Sequence, residues 1–219
     1  MRVPILGVLP ASGKASRIMG LPKFALPISD HETLLSWHVN NLKEVCDRIV
    51  ISTRPEWMPL VESMDLPAEV LVREPSTLSN TLGELFTLTH DDIIFGMPDS
   101  AILGNSYNPY INLMRSDGDV TLGLFECTPV LRGKVGQVFI KNNLVVDVQD
   151  KVIGCQYPLM WGNILFRGKA KYLNLGNNTP STEISKWVSA GTRVDAVIND
   201  GQYIDVGTFE GLKHLMSLL

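Results

Sequence analysis

Cysteine and histidine are scarce in this sequence, and neither is spaced for a metal site. The 219-residue chain has no Cys-x-x-Cys pair, and its three cysteines are Cys46, Cys127 and Cys155. The histidines share no common spacing, and they are His31, His38, His90 and His214. These patterns argue against a zinc finger and a disulfide scaffold. They predict reduced, mostly buried thiols in a cytoplasmic protein.

Excess positive charge and long apolar runs are also absent. The net charge is −4 and there is no basic stripe, so nucleic acid is not expected as a partner. No stretch approaches the roughly 20 apolar residues of a membrane span. The apolar run at 3–9 is short for a signal peptide and serves better as a first strand. With 45% apolar and 19% charged residues, the chain is typical of one globular domain, expected over residues 1–219.

Strand-like and helix-like segments alternate over the first half of the chain. Short apolar runs predict strands at residues 3–9, 48–53, 69–72 and 92–96. Helical spacing of apolar residues predicts helices at 32–45, 55–64 and 81–88, the first of them capped by Ser29-Asp30. This alternation predicts a parallel sheet with right-handed crossovers and a ligand crevice at the carboxyl ends of its strands.

From residue 119 the pattern changes. Strand-like runs follow one another with little room for helices between them, at 120–126, 134–140, 144–149 and 159–166. Asn142-Asn143 is predicted to be a hairpin turn. We therefore expect a β-rich lobe joined to the first half. The remaining segments are predicted as helices at 169–173, 183–190 and 209–218, and as strands at 194–198 and 203–205.

The loop after the first strand combines small residues with positive charge. It reads Pro10-Ala11-Ser12-Gly13-Lys14-Ala15-Ser16-Arg17 and closes at Pro22-Lys23. Small side chains let backbone N–H groups approach an anion, and Lys14, Arg17 and Lys23 add fixed positive charge. The loop matches neither the P-loop pattern nor the Rossmann glycine pattern. It predicts a phosphate site, and a βα turn with solvated charges is the alternative.

An aspartate follows the fourth predicted strand. Asp99 lies in Gly96-Met97-Pro98-Asp99-Ser100, just past the carboxyl end of the strand at 92–96. At the mouth of the predicted crevice, its carboxylate would be placed to hold a magnesium ion between phosphates. Judged by position alone, a turn or a helix cap is the alternative.

These segments and one near the end of the chain resemble the NTP-transferase family, the sugar-nucleotide pyrophosphorylases. That family opens with a strand, Ala-Gly-Gly-x-Gly-Ser/Thr-Arg and Pro-Lys, which Ala11–Arg17 and Pro22-Lys23 resemble. Its later Gly-Asp-x is similar to Pro98-Asp99-Ser100. The most specific resemblance is that of Tyr203-Ile204-Asp205-Val206-Gly207-Thr208 to the family's Trp-x-Asp-Ile/Val-Gly-Thr.

The resemblance implies a GT-A nucleotidyltransferase fold, an α/β fold of Rossmann-like type. Its central sheet would be mixed but mostly parallel, with helices on both faces and a small β-rich sugar-binding lobe. Residues 1–118 would form the nucleotide-binding half and residues 119–219 the sugar-phosphate-binding half. The implied reaction depends on magnesium and belongs to nucleotide-sugar biosynthesis. A sugar 1-phosphate attacks the α-phosphorus of an NTP, giving an NDP-sugar and pyrophosphate.

The resemblance also implies roles for individual residues. Catalysis would involve Arg17, Lys23 and Asp99. Mg²⁺ would be held by Asp99 and Asp205. Nucleotide binding would involve Pro10, Ala11, Ser12, Gly13, Lys14, Glu74, Asn80 and Thr81. Sugar-phosphate binding would involve Gly136, Asp150, Lys151 and Gly162.

Several positions depart from the family pattern and leave alternatives open. Glu74 replaces the glutamine expected to read the base, so the pattern does not indicate which nucleobase is bound. A cytidylyltransferase acting on a non-sugar phosphate such as phosphocholine would keep the chemistry and change the acceptor. A non-catalytic nucleotide-binding homologue is a second alternative, motivated by Ser12, Ala15, Pro98 and Val152 at motif positions. A homo-oligomer is possible by resemblance to the family, and no membrane partner is expected.

Overall fold

The computed structural model describes residues 3–13, 19–74, 78–104, 108–168, 170 and 178–219. In these ranges the strands are β1 Ile5–Ala11, β2 Pro27–Ser29, β3 Glu32–Thr33, β4 Arg48–Thr53, β5 Glu69–Val72, β6 Asp92–Gly96, β7 Ser100–Leu103, β8 Val120–Glu126, β9 Gly136–Lys141, β10 Leu144–Asp150, β11 Leu159–Phe166, β12 Asp195–Ile198 and β13 Gln202–Asp205. The α-helices are α1 Leu34–Leu42, α2 Met58–Ser63, α3 Leu78–Leu88, α4 Pro109–Leu113, α5 Pro180–Ser189 and α6 Phe209–Met216.

One sheet of nine strands forms the centre of the fold. Its strand order is β5-β4-β1-β6-β11-β8-β12-β10-β9. The four strands β5, β4, β1 and β6 run parallel to one another, which confirms the prediction for the first half. β11 then pairs antiparallel with β6 and with β8, and β12 runs parallel to β8. The sheet is therefore mixed.

Two predictions about this sheet are wrong. The second half forms no separate β-rich lobe, because β11 and β8 continue the same sheet beside β6 and the β9–β10 hairpin lies at its edge. The sheet is also not mostly parallel. Among the described strands beyond β6, every pairing is antiparallel except that of β8 with β12. For β9 and β10 the reason is local, because the two-residue turn at Asn142 and Asn143 cannot make the long crossover that parallel pairing needs.

Helices cover both faces of the sheet, as predicted. On one face α3 and α5 contribute Leu82, Leu85, Ile184 and Trp187 to a buried cluster with the sheet. On the other face α1, α2 and α4 form a second buried cluster with β1, β4, β6 and β11. Full burial of one such apolar side chain contributes about 1.5–3 kcal/mol. No described helix has the length and apolarity needed to cross a bilayer.

Local signals explain where some elements begin. Thr33, and not the predicted Ser29-Asp30, caps α1: its hydroxyl accepts from Ser36 N–H while Ser36 Oγ accepts from Thr33 N–H. The residues before it form the β2–β3 hairpin instead. The predicted turn at Asn142 and Asn143 is confirmed, with φ angles of 52° and 59°. The helix predicted at 169–173 lies outside the described residues except at Ala170.

Candidate active site

A cavity of about 560 Å³ opens at the carboxyl ends of the parallel strands. Its walls come from the segment after β6, the β9–β10 hairpin, β11, the first turn of α5 and the end of β13. The sequence-predicted site residues that line it are Asp99, Gly136, Asp150, Lys151 and Asp205. Residues from both halves of the chain therefore meet in one cavity.

A two-stranded antiparallel sheet brings the two aspartates together. In the pairing of β7 with β13, Asp205 lies opposite Ser100, the residue that follows Asp99. The backbone N–H of Val206 also donates to the carbonyl of Asp99, at 3.3 Å. The sequence did not predict β7, because the segment after Asp99 reads as a turn. Backbone pairing thus sets the relative position of two residues that are far apart in sequence.

Lys23 lies close to both carboxylates. Its ammonium is 3.2 Å from Asp99 Oδ2, and the Lys23 side chain is only 13% exposed. Asp205 Oδ1 accepts a 2.7 Å hydrogen bond from Gly207 N–H. A Cβ atom added at Gly207 would lie 2.7 Å from Asp205 Oδ1 and 3.3 Å from Lys23 Nζ. Glycine is needed there, because a side chain would occupy the space that these groups share.

The donor set at this end of the cavity suits Mg²⁺. Asp99 and Asp205 offer carboxylate oxygens, and Mg²⁺ commonly binds one or two carboxylates together with substrate phosphates and water. No group of three or more His, Cys, Asp or Glu side chains in the described part of the chain could hold a metal ion. An ion held here would therefore need oxygens from a substrate or from water to complete its octahedral shell.

Trp161 and Ser181 form part of the cavity wall. The indole Nε1 of Trp161 donates to Ser181 Oγ at 2.8 Å. A Cβ atom at Gly136 would overlap both groups, so this bond requires glycine at 136. Gly162 is not among the lining residues of the cavity. A Cβ there would lie 2.7 Å from the rings of Phe125 and Tyr203, and of these two rings Tyr203 lines the cavity while Phe125 does not.

Asp150 and Lys151 lie at the end of β10. Thr179 Oγ1 donates to Asp150 Oδ2 at 2.8 Å, and Thr179 also caps the N-terminus of α5. Lys151 has a φ of 55°, a left-handed conformation that costs a non-glycine residue about 1 kcal/mol or more. The Lys151 N–H donates to Val135 O at 3.1 Å, which helps to hold this conformation. Such strain is often found where a side chain is positioned for function.

The predicted phosphate loop is described only in part. Pro10 and Ala11 end β1 and pair with the last residues of β4. Arg54 Nε, which the sequence did not single out, donates to the carbonyl of Ser12 at 2.8 Å. Gly13 follows with open space where a Cβ would be. Lys14 and Arg17 lie outside the described residues, so their roles stay predictions.

The residues predicted to bind the base lie apart from the described cavity. Glu74 is exposed and follows β5, so it lies at the same edge of the parallel strands as Asp99. Asn80 and Thr81 lie in the first turns of α3, and Thr81 is buried. None of these three lines the cavity that holds the aspartates. Their predicted role in binding the base stays a prediction.

Sequence reasoning missed the α5 side of the cavity. Thr179 and Ser181 line it, but the helix was predicted to begin only at Glu183. The signal was present, because Thr179 followed by Pro180 is a cap residue followed by proline at the first helical position. Recognition of that pair would have placed the start of the helix at Pro180.

Comparisons with known proteins found similarity in structure but not in sequence. No protein family and no curated protein matches the sequence. Among solved structures, a Bacillus anthracis protein assigned as a glucose-1-phosphate thymidylyltransferase, in complex with a sucrose, is similar with a TM-score of 0.82 and 18% identity over 98% of this chain and 94% of that one. A UDP-glucose pyrophosphorylase complexed with UDP-glucose has a TM-score of 0.82 and 14% identity over 98% of both chains. The inositol-1-phosphate CTP transferase from T. maritima has a TM-score of 0.75 and 14% identity over 99% of this chain and 96% of that one.

The chain has a nucleotidyltransferase fold. The similarity covers 98% of this chain in the first two comparisons, so it includes the mixed sheet and the helices on both of its faces. At this level of identity it establishes the architecture alone. The case for chemistry rests on the residues that the nucleotidyltransferase fold brings together in the cavity.

Proposed function

We propose that this protein is a nucleotidyltransferase of GT-A type that transfers an NMP group from an NTP to a sugar 1-phosphate. The observation that carries the proposal is that Asp99, Asp205, Asp150 and Lys151 line one cavity, while Lys23, which does not line it, contacts Asp99. We call the part of the cavity formed by Asp99 and Asp205 the aspartate end, and the part formed by Asp150, Lys151 and Trp161 the acceptor end. Acidic oxygens for a metal and cations for phosphates are the groups that this chemistry needs. The whole chain, residues 1–219, would act as one domain.

Asp99 and Asp205 would hold Mg²⁺. When bound, this ion neutralises phosphate charge during the transfer. Arg17, Lys23 and the amides around Gly13 would hold the triphosphate and stabilise the pyrophosphate that leaves. Because phosphoryl-type transfers depend mainly on positioning and charge, no side chain needs to act as a covalent nucleophile.

The acceptor end of the cavity would orient the attacking group. The Lys151 ammonium, for which the described residues offer no hydrogen-bond partner, would bind the acceptor phosphate. Asp150 would accept hydrogen bonds from acceptor hydroxyls, with one of its oxygens already held by Thr179. The Trp161 side of the wall would exclude water from the phosphate that is transferred.

A different acceptor is the second candidate. One structure of similar fold is that of an inositol-1-phosphate CTP transferase, and inositol 1-phosphate is a cyclic polyol phosphate. The same Asp150 and Lys151 pair would serve such an acceptor, because it also presents hydroxyls and a phosphate. A cytidylyltransferase that acts on phosphocholine is a further alternative, with the same chemistry and another acceptor.

The test is a matrix of the four common NTPs against sugar 1-phosphates, inositol 1-phosphate and phosphocholine, with Mg²⁺ present and pyrophosphate measured. We expect pyrophosphate release for one nucleotide and one acceptor class, and loss of release when EDTA removes the metal. Nucleotide binding without pyrophosphate release for any acceptor would instead support the non-catalytic homologue. Cytoplasmic location and a homo-oligomeric state stay predictions.

A further inference from the structure

A buried histidine lies directly behind the two aspartates. His38 belongs to α1, is 1% exposed, and makes a hydrogen bond through each ring nitrogen. Its Nδ1 lies 2.6 Å from the hydroxyl of Tyr110, and its Nε2 lies 2.9 Å from the carbonyl of Ser100. Tyr110 is fully buried in α4. Two helices on one face of the sheet, α1 and α4, are thus linked by hydrogen bonds to Ser100, the residue that follows Asp99.

The partners determine which ring nitrogen carries the proton. The Ser100 carbonyl can only accept, so His38 Nε2 must donate to it. Nδ1 then accepts from the Tyr110 hydroxyl, which gives a chain of two hydrogen bonds that ends at Ser100. Burial lowers the pKa of His38 to about 4, so the neutral imidazole that this chain requires is present at neutral pH.

Ser100 connects this chain to both aspartates. It immediately follows Asp99, and it pairs with Asp205 in the β7–β13 ladder. Its own hydroxyl and N–H both bond to the carbonyl of Met97, at 2.7 and 3.1 Å. The backbone around Asp99 is therefore fixed by two sets of hydrogen bonds. One set joins Ser100 to the Met97 carbonyl, and the other is the bond from His38 to the Ser100 carbonyl. The hydrogen bond from His38 therefore adds to the backbone pairing of β7 with β13, which brings the two aspartates together.

The surrounding sequence makes room for this arrangement. A Cβ atom at Gly96 would overlap the Tyr110 hydroxyl, so the bond to His38 requires glycine at 96. A buried polar ring also costs free energy that an apolar side chain of similar size would not. Hydrophobic packing alone therefore gives no reason for histidine, tyrosine and glycine at these three positions.

We propose that His38 and Tyr110 are positioning residues that act through the Ser100 carbonyl and, together with the β7–β13 ladder, fix the separation of the Asp99 and Asp205 carboxylates. What those carboxylates bind rests on the proposed function. The hold on Ser100 is a property of the fold and does not depend on it. Neither side chain lines the cavity, so neither is expected to touch a substrate.

The experiment compares His38→Leu, His38→Gln and Tyr110→Phe with the unsubstituted protein. The amide of glutamine can place a donor near the position of His38 Nε2, so His38→Gln is the conservative rescue. Val39→Ala is the matched control, because Val39 is a buried neighbour on α1 without a link to Ser100. Each variant is measured for melting temperature, for amide hydrogen exchange of the β7 and β13 peptides, and for Mn²⁺ binding with each NTP.

We expect His38→Leu to speed exchange in β7 and β13 and to weaken Mn²⁺ binding about tenfold. His38→Gln should stay within about threefold of the unsubstituted protein, and Tyr110→Phe should lie between the two. Val39→Ala should lower the melting temperature and leave both readouts unchanged. If His38→Leu shifts only the melting temperature, as Val39→Ala does, the positioning role is refuted.

The proposed metal site and the proposed role of His38 can be refuted independently. If the unsubstituted protein binds no Mn²⁺ with any NTP, the proposed metal site is wrong, and exchange in β7 and β13 still decides the role of His38. Faster exchange in His38→Leu that is restored in His38→Gln would support the hold on Ser100. Equal exchange in all variants would overturn it.

Discussion

Main-chain hydrogen bonds bring the functional residues together at the aspartate end of the cavity, whereas at the acceptor end hydroxyl side chains add to such pairing. Asp99 and Asp205 owe their proximity to the β7–β13 ladder and to the Val206–Asp99 backbone bond. Asp150 also lies in a ladder, opposite Gly136, but its carboxylate in addition accepts a hydrogen bond from the hydroxyl of Thr179, and the indole of Trp161 donates to the hydroxyl of Ser181. Both kinds of contact position functional groups, but they depend on the sequence in different ways.

This difference indicates how the two ends can change. The backbone pairing that joins the aspartates does not depend on side-chain hydrogen bonds. At the acceptor end a single substitution removes a contact to a functional side chain. Three substitutions test this comparison, one at the aspartate end and two at the acceptor end.

The largest effect is expected for Asp205→Asn. Asparagine keeps an oxygen for the Gly207 N–H bond, so the fold should persist, but it removes a negative charge from the proposed metal site. We expect turnover to fall about a thousandfold, because loss of an electrostatic contact at a transferring phosphate costs several kcal/mol. Asp200→Asn, which changes an exposed aspartate that does not line the cavity, is the control. Normal turnover in Asp205→Asn would rule out the metal assignment.

An intermediate effect is expected for Gly136→Ala. The added methyl group would displace Trp161 or Ser181, which breaks their hydrogen bond and narrows the acceptor end. We expect the KM for the acceptor to rise about tenfold, or about 1.4 kcal/mol, with the KM for the NTP unchanged. Gly83→Ala in α3 has open space for its methyl group and should leave acceptor binding unchanged. A rise in both KM values for Gly136→Ala would mean that the two ends are not independent.

The smallest effect is expected for Thr179→Val. Valine lacks the hydroxyl that bonds Asp150 and caps α5, so stability should fall by about 1 kcal/mol and the acceptor KM should rise about threefold. Thr33→Val removes the cap of α1, away from the cavity, and should cost similar stability without any change in KM. Equal acceptor KM values in the two variants would show that Thr179 is only a helix cap.

Much of the fold was predictable because buried segments show regular patterns of apolar residues in the sequence. The parallel strands β4, β5 and β6 match their predicted bounds, since each is a short apolar run between turn residues. The strands β8 and β11 match theirs for the same reason. Their places in the sheet were not predictable, because strand order depends on contacts between distant segments that no local pattern records.

The candidate site was also predictable only in part. Asp99, Asp205, Asp150 and Lys151 were singled out from motifs, and the structure places all four in one cavity. Thr179 and Ser181 were missed at the N-terminus of α5. Nothing in the sequence singled out His38, because its two partners are Tyr110 and Ser100, far away in sequence.

The amino-acid sequence by itself determined the type of each main element and the identity of the charged groups. Element type follows from the local spacing of apolar residues, and the charged groups are recognised from motif residues. Only the tertiary structure decided that β7 pairs with β13, that the second half extends the first sheet, and that a buried histidine supports the aspartates. These features depend on backbone pairing and close contact between segments separated by dozens of residues. Such contacts form when the whole core is packed, and no single segment specifies them alone.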